Sequence, residues 1–252
     1  MPIKKLIVLV LASLIISSCA SSGNREKKVQ IAQALKKEGD IFQTQGDYTA
    51  ALTRLLEAEK ITPRDPYLQN SLGLAYMGKK RDDLAVTAFK KALSLKPDYV
   101  EATNNLGAAY LRQKKWDLAI ENFNKVLDNL LYPTPHYPLS NIGWAYMGKK
   151  EFSVAEVYFK KALDQSPWFT AAAHGLAQVY LKTGQVEQAT LFLNQCLIKF
   201  PGKAIFHADQ AQAYEAKGLT NQAIKSWQRV LTMVPERSAL AKQAVLKLSE
   251  LN

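Results

Sequence analysis

Two cysteines in 252 residues exclude a disulfide-stapled scaffold and a Cys-rich zinc module. Glycine and proline are few, at 12 and 10, while 48% of residues are hydrophobic, a globular proportion that excludes a disordered chain. No GxxxxGK[ST], GxGxxG, GxSxG or HExxH is present, so no phosphate loop, dinucleotide fingerprint, hydrolase elbow or zinc-protease helix can be read. His136, His174 and His207 are spread along the chain, and no Cys or carboxylate cluster completes a metal site with them. No catalytic residue, metal ligand, cofactor or small-molecule substrate is therefore expected. Negative charge is the scarcer sign: 33 Lys+Arg against 22 Asp+Glu give +11, which favours acidic partners.

Long apolar runs are also missing. The longest, Leu6 to Ile16, has eleven residues, too short for a membrane-spanning helix, which needs roughly 20. It follows Lys4 and Lys5, and charge followed by a short apolar run marks a secretory signal peptide. Ile16-Ser17-Ser18-Cys19 closes the run and resembles the bacterial lipobox, in which the thiol is acylated and the chain is cut before the cysteine. The alternative is an ordinary signal peptide cut at small residues. The lipoprotein reading is favoured because Cys19 sits where the apolar run ends and the other cysteine lies 177 positions away. That reading makes 1–18 a signal peptide and 19–30 a lipidated tether, small and polar over Ser21 to Glu26. Ala20 after the cysteine, by resemblance to Gram-negative lipoproteins, implies the periplasmic face of the outer membrane. Nucleic acid is an improbable partner there.

The remainder repeats itself. Small residues recur at Gly39, Gly73, Gly107, Gly143, Ala177 and Ala211, at intervals of 34, 34, 36, 34 and 34. Three positions after each stands an aromatic: Phe42, Tyr76, Tyr110, Tyr146, Tyr180 and Tyr214. Alanines keep the same intervals at Ala51, Ala85, Ala119, Ala155, Ala189 and Ala223, with Leu55, Phe89, Phe123, Phe159, Leu193 and Trp227 four residues further on. Pro63, Pro97, Pro167, Pro201 and Pro235 close five copies. The pattern resembles the tetratricopeptide repeat, a helix–turn–helix of 34 residues. It implies an all-α, right-handed superhelical solenoid over 31–252, with six repeats at about 32–235 and a capping helix at about 237–251. Within each repeat the small residue admits the second helix closely and the aromatic fills the remaining space. Gly46, Gly78, Gly148, Gly184 and Gly218 are expected at the turns, in the left-handed conformation. Leu240, Val245, Leu248 and Leu251 are expected on the inner face of the cap.

The interval of 36 marks a two-residue insertion in Leu130-Leu131-Tyr132-Pro133-Thr134-Pro135-His136-Tyr137-Pro138. It is either a tolerated loop variant or a shaped edge that alters the binding face. A lipobox, six repeats and Tyr-Pro-Thr-Pro ahead of Asn141-Ile142-Gly143-Trp144 together resemble the type IV pilus biogenesis lipoproteins called pilotins. That resemblance implies an outer-membrane scaffold, not an enzyme, that binds secretin subunits or other pilus machinery and promotes secretin assembly. The rival expectation is an adaptor lipoprotein of another envelope machine, such as exopolysaccharide export or outer-membrane biogenesis.

In that family the first helix of each repeat lines the concave face. This places Tyr67, Asn70, Leu74, Met77, Asn104, Leu111, Tyr137, Trp144, Met147 and His174 on a partner-binding groove, with Asn105 and Asn141 beside it to hydrogen-bond a peptide backbone. An apolar mid-groove suits a hydrophobic segment better than an acidic C-terminus. Trp144 replaces Leu74, Ala108, Gln178 and Gln212 of the other copies, so packing does not demand an indole there. It is either a hot spot or packed on the insertion. Lys79-Lys80, Lys114-Lys115 and Lys149-Lys150 follow the first helices, where they balance the helix dipole. With Lys90-Lys91 and Lys160-Lys161 they are either solvated charge or a basic ridge. Cys196 takes the place of Ala58, Ala92 and Ala162, as a buried small residue.

Overall fold

The structure, a computed structural model, describes residues 25–251. The expected signal peptide and Cys19 lie outside the described residues. Among the described residues the regular structure is all α-helical, and no helix is long and apolar enough to cross a membrane. The helices are α1 (25–44), α2 (Tyr48–Ile61), α3 (Pro66–Gly78), α4 (Asp82–Leu95), α5 (Val100–Arg112) and α6 (Trp116–Leu127). They continue as α7 (His136–Gly148), α8 (Phe152–Gln165), α9 (Thr170–Lys182), α10 (Val186–Lys199), α11 (Ala204–Ala216), α12 (Thr220–Leu231) and α13 (Ala239–Leu251). In chain order they are six pairs followed by a last helix. The chain divides into two compact units, one up to Gln113 and one from Lys114, so α1–α5 belong to the first and α6–α13 to the second.

Among the described residues α1 already includes 25–30, which the sequence reading gave to the tether. Arg25-Glu26-Lys27-Lys28 are long, unbranched residues that lose little rotamer freedom in a helix, and the buried Ala32 soon anchors them.

The repeat positions form the core. Ala51, Ala85, Ala119, Ala155, Ala189 and Ala223 are fully buried, and so are Leu55, Phe89, Phe123, Phe159, Leu193 and Trp227. The glycines make room for them: a Cβ on Gly39 would lie 2.6 Å from Leu55 Cγ, and one on Gly143 would lie 2.7 Å from Phe159 Cε1. Trp227 donates its Nε1–H to Glu215 Oε1 at 2.6 Å, so its polar atom is satisfied inside the core. Cys196 is buried as expected beside Leu193, and burial pushes its thiol up to about 11, which leaves it unreactive.

Two of the five expected turn glycines do a different job. Gly46, Gly184 and Gly218 are left-handed, with φ of 79°, 76° and 70°. Gly78 and Gly148, however, end α3 and α7, and the left-handed residues there are Lys80 and Lys150. What those glycines supply is proximity. A Cβ at Gly78 would run into the Tyr48 ring, and one at Gly148 would lie 2.6 Å from Trp116 Cε2.

The last helix also differs in detail. Leu240, Leu248 and Leu251 pack on the core around Trp227, but Val245 is exposed and the buried residues are Ala241 and Ala244. Alanines, not valine, allow α13 to approach α12 closely. Ser238 Oγ caps this helix by accepting from Ala241 N–H at 3.1 Å.

Candidate functional site

In the first unit, Asp65 starts α3 by accepting from the N–H groups of Tyr67 and Leu68, which sets Tyr67 in the first turn with its ring 47% exposed. The ring meets Tyr99, just before α5, edge to face at 5.1 Å. Lys96 Nζ donates to Tyr67 Oη at 2.8 Å and lies 4.9 Å and 5.3 Å from the two ring centres. Burial pushes the Tyr99 hydroxyl up to about 12, helped by Glu101, Tyr67, Asp40 and Asp65. It remains a proton donor at any physiological pH. Tyr67, Tyr99, Asn70 and Leu74 share a concavity of about 420 Å³ with Lys36, Asp40, Gln43, Thr44 and Ser71. Of these, Lys36 and Asp40, one turn apart on α1, pair at 2.7 Å.

The second unit repeats the aromatic arrangement. Tyr137, in the first turn of α7, is 48% exposed and meets Phe169, just before α9, edge to face at 5.0 Å. His136 lies 4.5 Å from the Tyr137 ring and 4.8 Å from Phe169, and burial lowers its pKa, favouring neutral imidazole. Further along, Trp144 packs on Phe159 of α8 at 5.3 Å and on His174 of α9 at 5.2 Å. His174 Nδ1 is 2.7 Å from Oδ2 of Asp209 on α11, and Gln178 Nε2 donates to Asp209 Oδ1 at 2.8 Å.

The expected residues therefore sort into two kinds. Tyr67, Leu74 and Tyr137 face solvent, and Met77, Leu111, Asn104, Asn105, Asn141, Trp144, Met147 and His174 are half-buried. Asn70 is buried and accepts from Asn105 Nδ2 at 3.0 Å. That bond occupies one N–H of Asn105 and the carbonyl of Asn70. Trp144 packs on Phe159 and His174. A residue at its position reaches the helix of the next repeat, so an indole there does fill space. The insertion loop leaves Leu130 and Leu131 96% and 90% exposed.

Sequence reading missed Tyr99, Phe169 and Asp209, although a signal existed. Tyr67 to Tyr99 and Tyr137 to Phe169 are both 32 apart, and Asn70 to Asn105 and His174 to Asp209 are both 35 apart. These separations join neighbouring first helices, so the same contact recurs whenever both residues suit it.

Asp209 is fully buried, and its desolvation outweighs the hydrogen bonds from His174 and Gln178, so its pKa is raised. The folded chain thus holds this proton more tightly than the unfolded one. Stability from this group is present below the ordinary carboxylate value and falls as pH rises above it towards the raised value. Asp209→Asn is expected to flatten that decline, so its urea midpoint gains on the parent as pH rises above the ordinary carboxylate value of about 4. Parallel midpoints above that value would contradict the assignment.

The lysines expected as a ridge are partly neutralised. Lys149 bonds Asp117 at 2.8 Å and Glu151 at 3.1 Å, and these bonds raise its pKa to about 12. Lys91 bonds Glu59 at 2.8 Å and Lys160 bonds Glu156 at 2.7 Å. Among the described residues no group of three His, Cys, Asp or Glu side chains could hold a metal ion.

Paired helices with small-to-large contacts in the core, and amphipathic rings exposed on the first helix of a pair, define a protein-binding repeat scaffold. Tetratricopeptide-repeat models match residues 39–80 and 75–114, 105–134 and 146–208, and the chain is a tetratricopeptide-repeat protein. Its fold is similar to that of PilW, a widely conserved type IV pilus biogenesis factor, with a TM-score of 0.75 and 24% identity over 86% of this chain and 99% of that one. PilF of Pseudomonas aeruginosa is similar at a TM-score of 0.68 and 18% identity, over 89% and 99% of the two chains. The Cut9–Hcn1 hetero-tetramer of the APC/C gives 0.70 and 19% over 91% of this chain and 46% of that one. At such identities the likeness is one of fold. Mouse (Mus musculus) BBS4, a BBSome member, is 34% identical over 65 residues, 26% of this chain and 12% of that protein's length.

Proposed function

We propose that this chain is an outer-membrane lipoprotein, acylated on Cys19 and facing the periplasm, that binds secretin subunits and promotes their assembly for type IV pilus biogenesis. The observation that carries the binding role is the repeated ring pair: each unit holds one tyrosine, Tyr67 or Tyr137, half-exposed and braced edge-on by Tyr99 or Phe169. Large amphipathic rings on rigid supports lose little entropy when a partner covers them, which is why they dominate binding energies. Their phenolic hydroxyls can bond a segment's backbone while the ring faces take its apolar side chains. The lipobox-like Ile16-Ser17-Ser18-Cys19 and the Tyr-Pro-Thr-Pro segment support the envelope setting. The fold likeness to PilW and PilF over nearly their whole lengths supports the pilus.

The mechanism is capture beside the membrane: the lipid supplies location, and the repeats hold a secretin segment at high local concentration. Deleting the gene is expected to abolish surface pili and SDS-resistant secretin multimers, and unchanged multimers would refute the role. Tyr67→Ala and Tyr137→Ala are each expected to weaken secretin capture by at least about 2 kcal/mol, roughly 30-fold. Because both rings are half-exposed, thermal midpoints should move little. Equal capture by both variants in a pull-down would take these rings out of the interface.

A further inference from the structure

A second surface lies on the first unit, at the turn that leads into α3. Arg25 and Lys28 of α1 and Arg64 of the α2–α3 turn surround a concavity of about 460 Å³ floored by Val29, Ile61 and Pro63. Among the described residues none of the three cations has an ion-pair partner, in contrast to Lys36, Arg54, Lys91 and Arg112 of the same unit. The one acid at the rim, Asp65, is engaged with the N–H groups that open α3. Three cations without an ion-pair partner among the described residues, over an apolar floor, suit a ligand that is anionic at its head and greasy behind it.

Chain length says which. Arg25 lies six positions after Cys19, so an extended link spans at most about 20 Å. If Cys19 is acylated, the bilayer surface lies within reach of this concavity. We infer that Arg25, Lys28 and Arg64 form a seat for the phosphate head groups of an anionic phospholipid surface and lay the first repeat against the membrane. The guanidinium forks match phosphate oxygens, and the long stems of the cations lie along the apolar floor while their heads reach the phosphates. The anchor alone would leave the repeats free to turn about the link. The seat limits that freedom and so favours one presentation of the ring pairs. The inference rests on the lipid-anchored reading above for its geometry.

The test separates the two. Among the described residues the core begins at Ala32, so residues 20–252 without the signal peptide and anchor retain every described core residue. This unlipidated chain is expected to co-sediment with vesicles of phosphatidylcholine and phosphatidylglycerol and not with phosphatidylcholine alone. Each cation at an anionic surface contributes roughly a fivefold gain, so Arg25→Gln, Lys28→Gln and Arg64→Gln together should reduce vesicle binding about 100-fold. Lys80→Gln, Lys114→Gln and Lys150→Gln remove the same charge elsewhere and should reduce it far less. Equal losses in the two sets, or no binding of the parent to anionic vesicles, would overturn the seat and leave the cations to an acidic protein. Labelling the full chain with radioactive palmitate tests the anchor by itself. Label present with cluster-independent vesicle binding sinks the seat alone, and label absent with cluster-dependent binding sinks the anchor alone.

Discussion

Phe159→Ala is expected to destabilise the second unit by about 3–5 kcal/mol, the range for truncating a buried aromatic ring. The ring is fully buried and lies against two neighbouring first helices at once: Gly143 of α7 and Gly175 of α9 both approach its Cδ1, Cε1 and Cζ atoms. Trp144 closes it edge-on at 5.3 Å. The two glycines it packs on have no side chains to move into the space. The converse substitution is informative too. A Cβ at Gly175 would run into the Phe159 ring, which Gly143 also approaches, so Gly175→Ala should cost about 1–3 kcal/mol by overpacking. Shortening the ring in the same chain, Gly175→Ala with Phe159→Leu, should recover part of the loss, since contacting residues couple. Urea midpoints of the four proteins test this. Additive losses would mean that ring and glycine do not press on each other.

Cys19→Ala is expected to remove the protein from the outer membrane. A buried acyl chain contributes about 0.8 kcal/mol per methylene, and several chains make release negligible, whereas a chain without them keeps only salt-sensitive contacts. The expected result is loss from the outer-membrane fraction of a density gradient run at high ionic strength, where the cationic seat is screened. The helical circular-dichroism spectrum should not change, because the described core begins at Ala32, thirteen positions after Cys19. A variant that still fractionates with outer membrane in high salt would refute acylation as the anchor. Pili lost together with membrane localisation would tie capture to location.

Much of the fold was legible because the repeat states its packing six times. Gly73 with Phe89, and Gly143 with Phe159, are each a small residue and a large one at fixed separation, and the structure places each pair in contact. Legibility failed where one residue type serves two purposes. Gly78 and Gly148 were expected as left-handed turns on composition, and only the positions of the Tyr48 and Trp116 rings reveal that they are close-approach residues. Val245 fits an amphipathic stripe as well as Ala241 and Ala244 do, and which of them faces inward depends on how closely α13 approaches its neighbour.

The candidate site divides the same way. That first-helix positions carry the exposed Tyr67 and Tyr137 followed from the repeat register. Their braces Tyr99 and Phe169 did not, and neither did the exchange that ties Asn70 to Asn105 and His174 to Asp209. Sequence alone determined the helix pairs, their number, the core alanines and the expectation of a lipid address, because these depend on short-range pattern and composition. Tertiary structure decided which polar side chains are occupied, which rings are braced, and that Arg25, Lys28 and Arg64 converge. Those facts depend on distances between segments remote along the chain, and a one-dimensional pattern carries such distances only where the repeat makes them recur.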